Sequence, residues 1–521
     1  MNFLKTLFLL LIILPYEVFS QDSELINKPD IDFRREYVVD CGDHGMFHFY
    51  LHNKKNKGQY KTNQVENDGF LEGEYYLYGF QYKDGKDPVK QIETPISKKS
   101  FKSKYKPSGY MFMFYRFLYG SFIPIKLVYN EDKVFILSHR KKHLNVTTYD
   151  LIKERFVNRS LDVGTKFSLR QVEIDEGNLF VRILKEPKFL SSKSSEEVLI
   201  VDYVAEKIDF IPLASGVSNR KAKKHDYKIE VNKKEDLIAV LDTYHDKNIL
   251  KDKEVTNLLL FDYDGSMISR IALPEEELYD YSGINIISSE DGFFLAGDYK
   301  STKSKVFKKD YDNGYVTAFY SRNGQEYFSR KDFNTFDFEG ISKKNKRYEV
   351  FSKGVADMAS IEGKVYFSLE FYDTETRTSS TSMGSSGQRT YSTYTYYYDK
   401  TSVILSCDAK TGDVIFNREF PLNGTKSLVS YFKTTISYLK DEELPLFILE
   451  RGGGSYLEFG VVKNGEYIDF ESNLEKYDIP DFKDFKRSGL PIFRAHSVGD
   501  DVVVLEFLYG GVPINSHYHK L

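Results

Sequence analysis

The feature that most constrains the fold is a short β-hairpin pattern that recurs along the 521-residue chain. In "LLLFDYDGSMISRI" (residues 258–271), an apolar run, a tight Asp-Gly pair and a second apolar run follow one another. Two such runs around Asp-Gly predict a hairpin with a type I′ turn, because that turn needs positive φ at both central positions. The same form recurs around Gly85, Gly324, Gly412 and Gly465, and in weaker versions near Ile152 and Glu206.

A second hairpin type alternates with the first, one for one. Here an acidic or glycine-containing turn precedes a strongly apolar strand, whose first residues are Val134, Leu179, Leu237, Phe293, Val365, Leu444 and Val502. Self-similarity of this kind indicates a repeat architecture. The repeat predicts units of four strands, A to D, with tight A–B and C–D turns, in a chain that opens with a C–D hairpin and closes with an A–B hairpin.

This pattern, over about residues 70–510, resembles that of β-propellers with four-stranded blades, which protect their sheet edges by radial repetition. The stretch "DAKTGDVIFNREF" (residues 408–420) is similar to the blade motif of pyrroloquinoline-quinone-type propellers, with Phe416 where that family usually has Trp. No residues match that family's cofactor site, so no cofactor is expected. The resemblance implies an all-β fold with a single propeller, seven blades being favoured and eight possible. A pair of β-sandwiches is the architectural alternative.

The two ends of the chain predict how the ring closes. The strand at residues 501–509 is strongly apolar and has no C–D hairpin after it, so it needs a partner. We expect it to pair with the first C–D hairpin, at residues 74–95. The hairpin-like stretch at residues 36–52 is either an extra hairpin or half of an eighth blade.

If the strands alternate up and down, both kinds of tight turn lie on one face of the ring and every long loop lies on the other. Loops are where binding residues concentrate, so this long-loop face is the candidate working face. Its longest segment, residues 372–400, is rich in Ser, Thr and Tyr. That segment is either part of a binding surface or a disordered insertion with no partner.

Polar residues follow the apolar part of strand B at a recurring distance. At or within one place of the fifth residue after the strand's first residue stand His139, Asp242, Asp298, Glu370, Glu450 and Glu506, while Leu184 breaks the series. Tyrosines follow closely at Tyr244, Tyr299, Tyr372 and Tyr509. One interpretation is a ring of carboxylates and phenols that holds a cation or a basic ligand. The other, which we favour, is that each acid accepts backbone N–H bonds where strand B leaves the sheet.

Other chemistry has little support in the sequence. His139 and His143 have basic neighbours that would repel a metal, and the terminal "HYHK" with His517 and His519 is more typical of a fraying tail. We therefore expect no metal. No nucleophile elbow, zinc-protease helix or phosphate-binding loop is present, and "ERGGGS" (residues 450–455) opens no helix. This lowers the expectation of an enzyme without removing it.

The composition and the N-terminus indicate an exported protein. Residues 1–20 read as a secretory signal peptide, with Lys5 followed by the apolar "LFLLLIIL" and Pro15. The domain prediction is a signal peptide at 1–20, an N-terminal segment with an extra hairpin at 21–70, and a propeller at 71–521 with an insertion at 372–400. The net charge of −4 gives no reason to expect nucleic acid. Cys41 and Cys407 are the only cysteines, and the sequence leaves open whether they pair.

The sequence therefore predicts an exported, non-catalytic propeller in the periplasm, cell envelope or medium, without membrane insertion after cleavage. Its expected partner is a protein or peptide bound at the long-loop face. The alternative is a propeller hydrolase or lyase that uses carboxylates above the central channel. An enzyme would bring two or three acids into one pocket, whereas a binding module needs no such convergence.

Overall fold

The computed structural model is built from β-strands, as predicted. It describes residues 33–53, 75–82, 89–93, 125–140, 142–175, 177–185, 195–213, 222–246, 253–273, 279–301, 313–333, 351–383, 388–422, 432, 434–439, 443–451, 456–470, 474–475, 492–497, 502–509 and 512–521. The predicted signal peptide lies outside these residues. In the described part of the chain, no helix is long and apolar enough to span a membrane.

The first four blades are antiparallel sheets whose four strands pair in chain order, from the inner edge of the ring outward. Blade 1 contains β1 (Phe33–Asp40), β2 (Met46–Asn53), β3 (Tyr75–Tyr82) and β4 (Lys90–Glu93), with a 3-10 turn at Gly42–His44. Blade 2 contains β5 (Ile125–Asn130), β6 (Lys133–Arg140), β7 (His143–Asp150) and β8 (Arg155–Asp162). Blade 3 contains β9 (Phe167–Asp175), β10 (Asn178–Lys185), β11 (Ser195–Asp202) and β12 (Lys207–Pro212). Blade 4 contains β13 (Ala222–Asn232), β14 (Leu237–Asp246), β15 (Lys253–Asp262) and β16 (Met267–Ala272).

Three further blades and a last, smaller sheet complete the molecule. Blade 5 contains β17 (Tyr279–Ser289), β18 (Gly292–Ser301), β19 (Asn313–Ser321) and β20 (Gly324–Asp332). Blade 6 contains β21 (Phe351–Ile361), β22 (Lys364–Met383), β23 (Gln388–Asp408) and β24 (Val414–Pro421). Blade 7 contains β25 (Thr434–Leu439), β26 (Leu444–Arg451), β27 (Tyr456–Lys463) and β28 (Glu466–Asp469), with the short β29 (Leu474–Glu475) also paired to β27. The closing sheet contains β30 (Ile492–Ser497), β31 (Val502–Tyr509) and β32 (Val512–Lys520).

The sheets are arranged in a ring, because their first strands contact one another in chain order from β1 to β30. The seven four-stranded blades confirm the predicted propeller. The closing sheet lies between blade 7 and blade 1, since β30 contacts β25 and β32 contacts β1. The strand alternation also places every tight A–B and C–D turn on one face.

Two expectations about the chain ends are corrected. The hairpin at residues 36–52 is β1–β2, and β2 pairs with β3, so it forms the inner half of blade 1. The pairing expected between β31 and residues 74–95 is not formed, because β31 pairs with β30 and β32 instead. Because β1 and β2 occupy the inner positions of blade 1, β3 pairs with β2 on one edge and with β4 on the other, and neither edge is free for β31. The ring closes by packing of β32 against β1.

The core consists of apolar layers between neighbouring blades, and alternating residues of each B strand serve the two sides. In β18, Phe293 and Leu295 pack against blade 4, whereas Phe294 and Ala296 pack against blade 6. This follows from the two-residue period of a strand. It also means that a shift of one residue moves a side chain to the opposite blade interface.

The Asp-Gly and Asn-Gly turns differ from one another. At Asn464-Gly465 both residues have positive φ (54° and 80°), as a type I′ turn requires. At Asp264-Gly265 only the glycine does (86°), and the register shifts at Leu260/Phe261. That turn is a three-residue loop with a bulge, so the predicted type I′ conformation is wrong there while the predicted hairpin is confirmed.

The two cysteines are free and buried in separate cores. Cys41 belongs to the layer between blades 1 and 2, and Cys407 to the layer between blades 5 and 6. No disulfide joins them.

Candidate functional site

The long-loop face carries an extended ribbon that the blades do not need. Strands β22 and β23 stay paired beyond the blade, from Tyr372 opposite Asp399 to Met383 opposite Gln388. Pairing with β21 ends at Tyr372, and pairing with β24 ends at Thr401. We call the two-stranded part, residues 373–383 and 388–399, the arm. The alternative of a disordered insertion is therefore not what the structure shows.

The side chains of the arm that the structure describes are hydroxyl groups, tyrosine rings and one guanidinium: Arg377, Thr378, Ser392, Thr393, Tyr394 and Tyr396. The hydroxyls of Thr378 and Thr393 lie 3.3 Å apart across the two strands. The Arg377 guanidinium lies 5.9 Å from the centre of the Tyr396 ring. The Tyr394 side chain is 46% exposed, and aromatic groups in such positions are typical of protein-binding surfaces.

The predicted carboxylates lie at separate blade interfaces. Strand parity places Asp298 toward blade 6, with Phe294, and Glu370 toward blade 7, with Tyr366. Asp242 faces backward to blade 3, because its neighbours on that face, Ile238 and Val240, pack there. The equal spacing in sequence therefore hides a one-residue difference in register, and these acids do not converge.

Two of these acids have well-defined partners. Glu370 is fully buried, and its Oε1 accepts a 2.6 Å bond from the backbone N–H of Thr434 in blade 7. Asp242 is 2% exposed, and its Oδ1 lies 2.7 Å from Nδ1 of His225. The His225 ring contacts the rings of Tyr227 and Tyr244, whose centres lie 5.6 Å and 4.8 Å away. The Glu370 carboxylate thus joins blade 6 to blade 7, and the Asp242 carboxylate joins the two inner strands of blade 4.

The remaining candidates are distributed around the molecule in the same way. Glu450 is buried on the side of β26 that faces the closing sheet, and Tyr299 donates to the Asp332 carboxylate. Tyr372 lies at the root of the arm, paired with Phe351. Glu506 lies opposite Arg494 in the closing sheet, and its side chain is outside the described part.

His139 faces blade 3, where its ring centre lies 5.3 Å from that of Phe167. Burial lowers the pKa of His139 to about 4, so the imidazole is neutral at pH 7. The interpretation of the C-terminus as a fraying tail is wrong for His519. That residue is buried in β32, with its ring stacked 4.7 Å from that of Phe459.

A set of polar residues on the inner strands was missed by the sequence reasoning. Each side chain hydrogen-bonds the backbone of the next blade's inner strand. The bonds run from Gln171 to Ile229, from Ser288 N–H to Glu230, from Asn285 to Val355, from Ile436 N–H to Asp357, and from Ser437 to Ala495. The signal was a polar residue repeated in strand A. The acids of strand B recur at a more regular spacing than these residues, which we call the inner polar ring, so the spacing of strand A gives the weaker signal.

The inner polar ring has one strongly perturbed member. Burial raises the pKa of Glu230 to about 8, and the nearby Glu173 carboxylate adds to the effect. The bond from Ser288 N–H, 3.0 Å long, opposes this rise. In the described part of the chain, no group of three His, Cys, Asp or Glu residues is arranged to hold a metal.

Comparison with known proteins assigns the chain to no family. No family model matches the chain, and no curated protein matches it by sequence. Among solved structures, the chain is similar to the β-propeller domain of the Trilobed protease from Pyrococcus furiosus, at 13% identity and a TM-score of 0.35 over 88% of this chain and 99% of that one. It is also similar to the tricorn protease, at 11% identity and a TM-score of 0.34 over 84% of this chain and 34% of that one. A third similar structure is the polysaccharide lyase Uly1, at 8% identity and a TM-score of 0.34 over 77% of this chain and 90% of that one.

The ring of four-stranded blades makes the protein a β-propeller, and these likenesses add nothing about its function. The resemblance of residues 408–420 to pyrroloquinoline-quinone-type blades is not confirmed. In the structure that stretch is a C–D turn, in which the Asp408 carboxylate accepts the N–H bonds of Lys410 and Thr411, each 2.9 Å long. Phe416 is buried against blade 7.

Proposed function

We propose that this protein is exported and binds a protein or peptide partner through its long-loop face, without catalysis. The observation that carries the proposal is the arm, which projects from that face as a paired ribbon with exposed Tyr394. A propeller needs no such ribbon for its own core. Ordered, aromatic-bearing backbone outside the core is typical of recognition surfaces.

The burial of the candidate acids favours binding over the hydrolase or lyase alternative. Glu370 is committed to a backbone N–H of blade 7, and Asp242 to His225 near blade 3. A catalytic pair would need both carboxylates within reach of one substrate.

The test is capture of partners by the mature chain, residues 21–521, with an arm-less variant as the matched control. In that variant residues 374–397 are replaced by Asn-Gly, which closes the hairpin with a two-residue turn. We expect unchanged thermal stability and loss of the captured partner. Equal capture by both chains would contradict the proposal.

Export is tested separately. Expression of the full chain should yield a secreted product whose N-terminus is Gln21. A product that keeps residues 1–20 and stays with the cell would contradict this part of the proposal.

A further inference from the structure

The interface between blades 3 and 4 changes from apolar to ionic toward the long-loop face. Its apolar layer includes Phe180 of β10 and Tyr227 of β13. Two residues further along each strand toward that face stand Arg182 and His225, which the two-residue period of a strand directs into the same interface. Glu196 of β11 is adjacent, with its Oε2 3.7 Å from Nε of Arg182. Charged groups thus follow directly on the apolar layer.

A β-bulge adds a second arginine to these groups. The register between β9 and β10 shifts between Arg182 and Ile183, which leaves Arg170 as the extra residue of β9. Such a bulge re-aims the side chain of the extra residue and is common next to functional sites. Burial raises the pKa of Glu196, and the guanidiniums of Arg182 and Arg170 oppose the rise. We call the four residues the interface cluster: Arg170, Arg182, Glu196 and His225.

Five buried polar atoms of the interface cluster have no hydrogen-bond partner among the described residues. They are Nε of Arg170, Nε and Nη1 of Arg182, Oε2 of Glu196 and Nε2 of His225. Buried polar atoms of native proteins are nearly always hydrogen-bonded, and a water or an ion serves where no protein group does. The side chains of Arg182, Glu196 and His225 are 14%, 20% and 17% exposed, so the cluster also has contact with solvent. These observations indicate a site for a bound group.

The five atoms define the chemistry of that group. The guanidinium nitrogens of Arg170 and Arg182 are donors only, and carboxylates are their preferred acceptors. The Asp242 carboxylate lies 2.7 Å from Nδ1 of His225 and holds the proton there, which leaves Nε2 of the neutral ring as an acceptor. The ionised Glu196 carboxylate is an acceptor too. The group must therefore combine a carboxylate with a hydroxyl that can donate.

We propose that the interface cluster binds a small hydroxycarboxylate, whose carboxylate lies against Arg170 and Arg182 and whose hydroxyl donates to His225 or Glu196. Two guanidiniums alone would accept any oxyanion, and the two acceptors select the hydroxyl. This inference goes beyond the proposed function, because the arm takes no part in it. It concerns binding and requires no reaction.

Ligands that differ by one group test the proposal on the mature chain, residues 21–521. Glycolate is the probe, acetate lacks its hydroxyl, and glycolamide lacks its charge. Isothermal titration should give a dissociation constant of about 1 mM for glycolate, since so few atoms make the contacts. Each analogue should bind at least about tenfold more weakly, because it leaves buried acceptors or donors of the site unpartnered.

Variants of one arginine locate the binding site. Arg182→Met should abolish glycolate binding, and Arg182→Lys should weaken it about tenfold, because lysine keeps the charge but loses the planar pair of donors. The lysine variant also decides the matter if the methionine variant does not fold. Arg159→Met is the matched control, since Arg159 donates to the backbone carbonyls of Tyr203 and Val204 outside the cluster. It should bind glycolate as the wild type does.

Three results would overturn the proposal: glycolate that binds no better than acetate, glycolamide that binds as well as glycolate, or wild-type affinity in Arg182→Lys. None of them bears on partner capture by the arm, which is measured with a different variant. Failure of the hydroxycarboxylate site is therefore distinguishable from failure of the proposed function.

Discussion

Glu230 and Gln171 occupy equivalent positions in neighbouring blades, but only the Glu230 side chain can ionise. Both accept a backbone N–H from the next inner strand, 3.0 Å and 3.1 Å long. Burial raises the Glu230 pKa from 4.5 to about 8. The unfolded chain therefore loses this proton near pH 4.5 and the folded chain near pH 8, so stability falls as the pH rises between these values.

Glu230→Gln should keep the hydrogen bond and remove the charge. We expect it to stabilise the protein by about 4 kcal/mol at pH 8 and to have little effect at pH 4. Chemical denaturation at both pH values measures this. Gln171→Glu is the reverse control and should destabilise at pH 8. A gain for Glu230→Gln that is the same at both pH values would refute the explanation.

His139 gives the opposite pH dependence. Its pKa is lowered by burial to about 4, so between pH 6.5 and 4 the unfolded chain takes up a proton that the folded chain refuses. Stability is therefore lost as the pH falls. Leu184 holds the equivalent place in blade 3, which suggests His139→Leu as the test. The variant should lose about 2 kcal/mol less than wild type between pH 7 and pH 5.

At the scale of the strand, glycines mark places where a neighbour leaves no room. A Cβ on Gly314 would lie 2.0 Å from the Lys331 carbonyl oxygen in β20 and 2.5 Å from the Tyr299 ring. Gly314→Ala should therefore cost about 2 kcal/mol by forcing β19 and β20 apart. Gly177→Ala is the control, because nothing lies within 4 Å of its added Cβ. It should change stability by under about 1 kcal/mol. Similar melting temperatures for the two variants would contradict this.

Most strands were predictable because their pattern is local. The predicted starts Val134, Phe293 and Val365 all fall in B strands, since an acidic turn followed by an apolar run leaves few alternatives. The arm was not predictable in this way, because Ser and Thr give no apolar period and the same composition is typical of disordered segments. The blade interface that each carboxylate enters was not predictable for another reason. A spacing counted from the first apolar residue cannot reveal which blade interface a side chain enters, and Asp242 enters the opposite one.

At the scale of the whole molecule, the ring depends on its last sheet. Val503 and Leu505 of β31 are fully buried in the same cluster as Leu446 and Ile448 of blade 7. On the other side, β32 contacts β1 of blade 1. The closing sheet therefore covers two blades at once, although it shares no strand with either. Its local pattern was predictable, but its partner was not, because packing between sheets leaves no signature in hairpin spacing.

Deletion of residues 499–521 should accordingly destabilise the entire propeller rather than remove an independent tail. It exposes the blade 7 cluster, removes the stack of His519 on Phe459 and separates β1 from its neighbour. Leu505→Ala is the milder variant and should cost about 2–5 kcal/mol by leaving a cavity in the same cluster. Thermal unfolding measures both, and hydrogen exchange should show the largest loss of protection in β1 and β26, the two strands nearest the break. A truncated chain that melts at the wild-type temperature would show that the closing sheet does not hold the ring together.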